Sequence, residues 1–213
     1  MLTLDPIRFQ DIFDSHSNQR IFTMPTVAIV YFSASGHTEQ VAQAVADGTK
    51  LVAGTVSTLH RIVSEDIDGG RWKNDEIIVS LNAADAIVFG TPTYMGGYSA
   101  QFKTFIDACG GIWYQQGWKD KIGAGFTHSQ GLSGDKLNTL SGLMINGLQH
   151  SMIWVGTGVM PEGATPDKTN RLSSYTGAMA QSNMDQPEIG SGDRQTAIAL
   201  GKRVAETAAR WNR

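Results

Sequence analysis

The stretch that most limits what this chain can fold into is Val27 to Thr38, Val-Ala-Ile-Val-Tyr-Phe-Ser-Ala-Ser-Gly-His-Thr. A short apolar burst stops in a Ser/Gly/Thr loop, and a helical pattern starts at Thr38 with Glu39 in its first turn. This is a strand, a loop and a helix N-terminus. Such a junction gathers backbone N–H groups and the positive end of a helix dipole at one point, which suits a phosphate without any fixed cation. Ser33, Ser35 and Thr38 add hydroxyls, and Gly36 permits a tight turn. No Lys follows the glycine, which argues against a nucleoside-triphosphate loop, and a single glycine argues against a Gly-x-Gly-x-x-Gly fingerprint. A terminal monophosphate remains as the candidate ligand. An ordinary strand-to-helix connection with a capping Thr would look the same on this segment alone.

The rest of the chain repeats the alternation. Val41, Ala44, Val45 and Gly48 make a helical stripe, and Val56 to Ile62 reads as a second strand. Residues 74–81 read as a helix start with Ile77, Ile78 and Leu81 buried, or as a short strand. Ala86 to Gly90 is the continuous apolar run of a central parallel strand and leads into Thr91-Pro92-Thr93-Tyr94-Met95-Gly96-Gly97. Ser99 can cap the next helix, whose buried face would include Phe102, Phe105, Ile106 and Cys109. Lys121 to Thr127 is a strand of small residues followed by a polar loop, His128 to Gly134. Leu137, Leu140, Met144 and Leu148 mark a helix, and Met152 to Gly156 a last strand. Residues 157–192 are rich in Gly, Pro, Ser, Asp and Asn with little periodicity, a long insertion of the kind that is often functional or interface-forming. A helix carrying Ala197, Leu200, Val204, Ala208 and Trp211 closes the chain.

Strand and helix alternate with no Asn-Gly or Asp-Gly hairpin, so the expected architecture is a parallel sheet with helices on both faces. Ligands of such sheets bind beyond the strand C-terminal ends at the topological switch point. Three loops lie there: 33–38, 91–97 and 127–134. Pro92, Thr93, Tyr94 and Met95 offer a flat apolar wall, and Gly96-Gly97 lets backbone come close to a planar ring, as an isoalloxazine requires. Taken alone, Tyr94 is equally a surface aromatic, and His128, Ser129, Gln130 and Gly131 a polar turn.

The 213 residues carry a formal net charge of −3 and no basic run, which disfavours nucleic acid as a partner. One cysteine, Cys109, allows no internal disulfide and no Cys/His zinc spacing, and a reducing, cytoplasmic setting is expected. No metal site and no membrane span are expected. Residues 1–23 mix charged and apolar positions and read either as an arm packed on a neighbour or as an upstream extension before Met24, with 24–213 as one domain.

Tyr-Phe-Ser-Ala-Ser-Gly-His-Thr (31–38), Phe-Gly-Thr-Pro-Thr (89–93), Gly-Gly-Ile-Trp (110–113) and Gln-His-Ser-Met (149–152) together resemble the multimeric flavodoxins. These are the tryptophan-repressor-binding-protein-like (WrbA-like) NAD(P)H:quinone oxidoreductases, and the similarity runs from Val27 to about Ala180. The resemblance implies an α/β flavodoxin-like doubly wound five-stranded parallel sheet, order 2-1-3-4-5, and a homotetramer whose neighbouring subunits help complete each flavin site. Ser33, Ala34, Ser35, Gly36, His37 and Thr38 would hold the FMN phosphate. Pro92, Thr93, Tyr94, Met95 and Gly96 would meet the ring. His128, Ser129, Gln130, Gly131, Leu132 and Ser133 would meet the ring edge and ribityl chain, with Gln149 and His150 at the flavin side.

The implied chemistry is hydride transfer from NADH or NADPH to FMN and then electron transfer to a quinone, with no obligatory catalytic side chain. Trp113, Tyr94 and Ser35 would line the nicotinamide or quinone position, although Trp113 also reads as a core tryptophan and His150 as a structural helix-end histidine. The family's ring loop commonly reads Pro-Thr-Arg-Phe-Gly, and Tyr94-Met95 replace Arg-Phe here. Ser35 stands where the family often has Tyr, and Gln149-His150-Ser151-Met152 where it has His-His-Gly-Met. An electron carrier that binds FMN without nucleotide turnover is the alternative.

Overall fold

The structure is a computed structural model that describes residues 24–183 and 185–211. The two readings of residues 1–23 fall outside it. Five strand positions form one parallel sheet: β1 (Thr26–Phe32), β2 (Val56–Ile62), β3 (Ala86–Tyr94), β4 (Ile122–Ser129) and, beside β4, β5 (Ile153–Trp154) with β6 (Ala178–Gln181). The order is β2-β1-β3-β4-β5, the doubly wound order expected from the resemblance. Side chains alternate across β1. Val27, Ile29 and Tyr31 face helices α1 (His37–Thr49) and α6 (Ser191–Trp211), while Ala28, Val30 and Phe32 join the core of the opposite face. That second face is covered by α2 (Asp75–Ala83), α3 (Ala100–Ala108), the short α4 (Gly110–Tyr114) and α5 (Lys136–Gln149).

Two glycines fix how α1 lies on α6. A Cβ at Gly48 would sit 2.0 Å from the Ile198 carbonyl oxygen, and one at Gly201 would sit 1.9 Å from that of Val45. The helix backbones therefore touch, which draws the closing helix onto the sheet beside the first one. Residues 75–83 are a helix, opened by Asn74, whose side chain accepts from the Ile77 N–H. Ser99 caps α3 by accepting from Phe102. Cys109 is 1 % exposed, and burial pushes its thiol up to about 12, so it is a core residue.

Two expectations need correction. Helix α5 buries Thr139, Leu140, Leu143 and Gly147, whereas Leu137, Ile145 and Leu148 point outward, so the apolar stripe expected from Leu137, Leu140, Met144 and Leu148 is rotated. The insertion expected over 157–192 also contains a strand. The fifth position is shared by two segments, with β5 pairing Ile122–Gly123 and β6 pairing Phe126–Ser129. The chain leaves the sheet after Trp154 and returns at Ala178, and α6 begins at Ser191.

The excursion is held by buried polar groups. Arg171 grips Asp193 through Nε (2.9 Å) and Nη2 (2.8 Å), with both side chains almost wholly buried. Asn170 donates to the Val159 carbonyl and accepts from the Ser174 amide. A segment fixed in this way has no apolar period to read.

Candidate functional site

The C-terminal ends of β1, β3 and β4 open on one cleft of about 750 Å³. Ala34, Ser35 and Thr38 line it from the first loop, and Pro92, Thr93, Tyr94 and Met95 from the second. His128, Ser129, Gln130, Gly131 and Gly134 close it from the third. No lysine or arginine is among these lining residues.

The first loop is built by its own residues. Gly36 takes φ +90°, and Ser33, buried behind the loop, accepts through Oγ from the amides of Gly36 and Glu39 at 3.2 Å each. Ser33 rather than Thr38 therefore satisfies the first turn of α1, and Thr38 is left on the cleft. The amides of Ser35, His37 and Thr38 have no hydrogen-bond partner among the described residues. Unpartnered amides at a helix start are donors waiting for an acceptor. From behind, Arg61 donates to the Ser33 carbonyl and pairs with Glu39, which also accepts from Tyr31. Burial, then the Glu39 charge, pushes Tyr31 up to about 12, so it stays a phenol.

The second loop presents apolar surface. Tyr94 is 48 % exposed and Met95 wholly so, in a tight turn where Met95 and Gly96 both take positive φ (48° and 78°). Asn138 of α5 holds this turn by donating to the Gly96 carbonyl. Beneath it the Thr93 hydroxyl is bonded to those of Thr127 and Thr139 at 2.8 Å, and Thr127 donates to the Thr91 carbonyl. These bonds tie the ends of β3 and β4 together.

Between the first and third loops two imidazoles stack, His37 on His128, with centroids 5.0 Å apart. His37 Nε2 lies 2.7 Å from the Gln186 carbonyl and so donates to it, while Nδ1 meets Ser35 Oγ at 3.1 Å. His128 Nε2 meets Ser182 Oγ at 2.8 Å. Burial, aided by the nearby His37 and Lys136, pushes His128 down to about 4, so it is neutral at physiological pH. Ser182 and Gln186 belong to the segment that sequence reasoning left structureless, and they bring it to the edge of the cleft. Lys136 under the third loop was also missed. Its one sequence signal is a lysine at the start of a helix, where a cation is disfavoured.

Not every expected residue lies on this cleft. Gly36 and His37 shape it from within, and Gly96 turns the second loop. Leu132 and Ser133 line a different groove with Leu137, Leu172, Tyr175 and Met179. Trp113, Gln149 and His150 lie in a separate depression of about 290 Å³ between α3, α4 and α5. There His150 is buried against Trp118, with ring centroids 4.5 Å apart, and its Nδ1 has no partner among the described residues. Among the described residues no group of three or more His, Cys, Asp and Glu side chains is placed to hold a metal ion, and no helix is long and apolar enough to cross a membrane.

Comparison with known proteins agrees with this geometry. A family model described as NADPH-dependent FMN reductase matches residues 24–165. Flavodoxin FldP of Pseudomonas aeruginosa (strain UCBPP-PA14) is 38% identical over 188 residues, 85% of this chain and 96% of that protein. An NAD(P)H dehydrogenase (quinone) of Archaeoglobus fulgidus is 34% identical over 200 residues, 87% of this chain and 98% of its own. Among solved structures, a flavodoxin, WrbA-like protein from Agrobacterium tumefaciens superposes with a TM-score of 0.69 at 41% identity, covering 87% of this chain and 98% of that one. The chain is a WrbA-like flavodoxin-family protein and belongs to the family described as NADPH-dependent FMN reductase.

Proposed function

We propose that this protein is an FMN-dependent NAD(P)H:quinone oxidoreductase. The observation that carries the reading is the convergence of a cation-free loop of unpartnered amides with an exposed apolar wall on one cleft at the sheet's switch point. The residues fit the group. Amides and hydroxyls of Ser35 to Thr38 are the donors a phosphate needs, and Tyr94 and Met95 are apolar surface that a flat ring would cover. Relatives in Archaeoglobus fulgidus, Solidesulfovibrio magneticus and Acidovorax ebreus carry the name NAD(P)H dehydrogenase (quinone), which supports the same activity here.

Bound FMN would supply the redox chemistry, taking a hydride from NADH or NADPH and passing two electrons to a quinone. The chain's own residues do the rest. Ser35 to Thr38 would hold the phosphate on a loop that Ser33 shapes, Pro92 to Gly96 the ring, and His128 to Gly131 its polar edge. Neutral His128 accepts or donates hydrogen bonds without adding charge. Tyr94, half-exposed at the rim of the apolar wall, and Ser35 would also border the nicotinamide and quinone position.

Trp113, Gln149 and His150 are 44 % exposed, exposed and buried respectively, around a depression away from the cleft of their own chain. We assign them to the nicotinamide and quinone position of a neighbouring subunit in a homotetramer, with Leu132, Ser133 and the 157–192 segment at the contact. A cytoplasmic setting suits a reduced-nucleotide donor and a lone buried thiol.

The test is anaerobic. The protein is reconstituted with FMN, NADH or NADPH is added while flavin absorbance is followed, and benzoquinone comes last. Bleaching followed by reoxidation is expected. FMN that binds and is bleached by neither nucleotide would leave the electron-carrier reading, which the name of the FldP relative favours.

A further inference from the structure

Lys136 is the first residue of α5, and its side chain is among the most buried in the protein, with 1 % of the residue exposed. Its ammonium donates to Ser129 Oγ at 2.9 Å and to the Gly131 carbonyl at 2.5 Å. Both acceptors are neutral, and both residues line the cleft. Among the described residues no carboxylate lies within ion-pair distance of it. The carboxylate whose charge does reach it, Asp193, is already occupied by both arms of Arg171.

Three effects oppose a cation here. Burial removes its water, the N-terminal end of a 14-residue helix is itself positive, and the Arg171 guanidinium repels it. Burial, opposed in part by the Asp193 charge and aided by that of Arg171, pulls the ammonium down to about 8, still charged at neutral pH. The third loop is nonetheless closed around it. A Cβ on Gly134 would meet Ser129 Oγ at 2.5 Å and the Gly131 oxygen at 3.4 Å, so the loop packs closely on itself at that point. A buried charge kept at this expense, with no carboxylate in ion-pair reach, is one that an anion brought by a ligand would stabilise. It also stands apart from the first loop, whose donors are uncharged. The cleft is therefore neutral at one end and positive behind the other.

We propose that Lys136 is a positioning and electrostatic residue that stabilises the reduced over the oxidised form of FMN held in the cleft, raising its reduction potential. This rests on the proposed FMN-dependent activity. FMN takes up two electrons and one proton on reduction, which is the hydride that NAD(P)H delivers, and its net charge becomes one unit more negative. A fixed positive charge behind Ser129 and Gly131 therefore favours the product of that step. It would also speed hydride acceptance in a site whose lining carries no cation.

The experiment measures the midpoint potential of bound FMN by dye equilibration, together with the Kd of oxidised FMN, in wild type, Lys136→Gln and Lys136→Met. A tenfold fall in the affinity ratio of reduced to oxidised FMN is expected in both variants, which lowers the potential by about 30 mV for this two-electron couple. An effect on loop packing alone would weaken both forms equally and leave the potential where it was, and that result would overturn the proposal.

A second measurement needs no variant. By reciprocity, reduction must raise the Lys136 pKa in the wild-type complex, by about one unit for the same tenfold coupling. This is read from the lysine 15Nζ resonance, with His128, Arg171 and Asp193 as the protein's charged or titratable groups acting around it. An unchanged pKa would contradict the assignment. Failure of the wild type to bind FMN would instead remove the proposed function, and this inference with it.

Discussion

The two ends of the cleft are built on opposite plans. The first loop, 33–38, takes its shape from neighbours in sequence, with Ser33 bonding the amides of Gly36 and Glu39 and Arg61 and Gln186 bracing it from outside, and it presents neutral donors. The third loop, 129–134, is held by a buried charge just beyond it and by residues from distant parts of the chain. Lys136 bonds Ser129 and Gly131, and Gln181 donates to the Gln130 carbonyl. Arg171 donates to the Gln181 side-chain and backbone oxygens, and Asp193 accepts from the Gln181 amide while gripping Arg171. A local device fixes one end and a buried charged network the other. The consequence is an unequal sensitivity: changes far from the cleft should disturb the third loop and leave the first one standing.

The largest expected effect tests that asymmetry. Asp193→Ala strands the Arg171 guanidinium in the interior and should cost about 3–5 kcal/mol of stability, read as a shifted midpoint in urea unfolding. Hydrogen exchange should quicken at the third loop before the first. Equal loosening of both would dissolve the contrast.

Next is acid. Burial holds His128 down at about 4, against an ordinary value near 6.5, so the unfolded chain takes up the proton first as pH falls. Stability from this group is full above about pH 6.5 and declines toward pH 4, by about 3 kcal/mol. The stability of wild type relative to His128→Asn should shrink by that amount over the window. His60 and His150 are depressed by burial in the same direction, but they are present in both proteins and cancel. A constant gap would place His128 in contact with water.

Smaller effects separate holding a loop from holding a ligand. Thr38→Ala should weaken FMN binding by about 1.5–3 kcal/mol, the worth of a hydrogen bond to a charged group. Ser33→Ala should lower stability by about 1 kcal/mol through the lost helix-start bonds. The two variants exchange these outcomes if the roles are reversed. Trp113→Ala, half-exposed and off the cleft, should change FMN affinity and stability least of all while raising KM for quinone or nucleotide. Unchanged kinetics would remove Trp113 from the site.

The same division explains what the sequence could show. β1, the 33–38 loop and α1 form one local unit, and the alternation of apolar runs with Gly/Ser loops reports the parallel sheet and its three strand-end loops. Ala178–Gln181 escaped because its partner strand lies some fifty residues earlier and the flanking chain is fixed by Asn170, Arg171 and Asp193, polar residues with no period. The burial of Lys136 has no mark in its sequence neighbours, because only the folded loop encloses it. The rotated face of α5 has a related cause. Gly147 packs on Trp154, with a Cβ there reaching 3.0 Å from the indole, and Thr139 bonds Thr93. A glycine and a threonine thus occupy places where apolar counting looks for Leu.

The most direct measurement is a crystal structure of the protein with FMN. The account requires the phosphate on the amides of Ser35, His37 and Thr38, the ring against Pro92 to Met95, and its polar edge along His128 to Gly131. FMN seated elsewhere, or a cleft that stays free of it at saturating concentration, would contradict it.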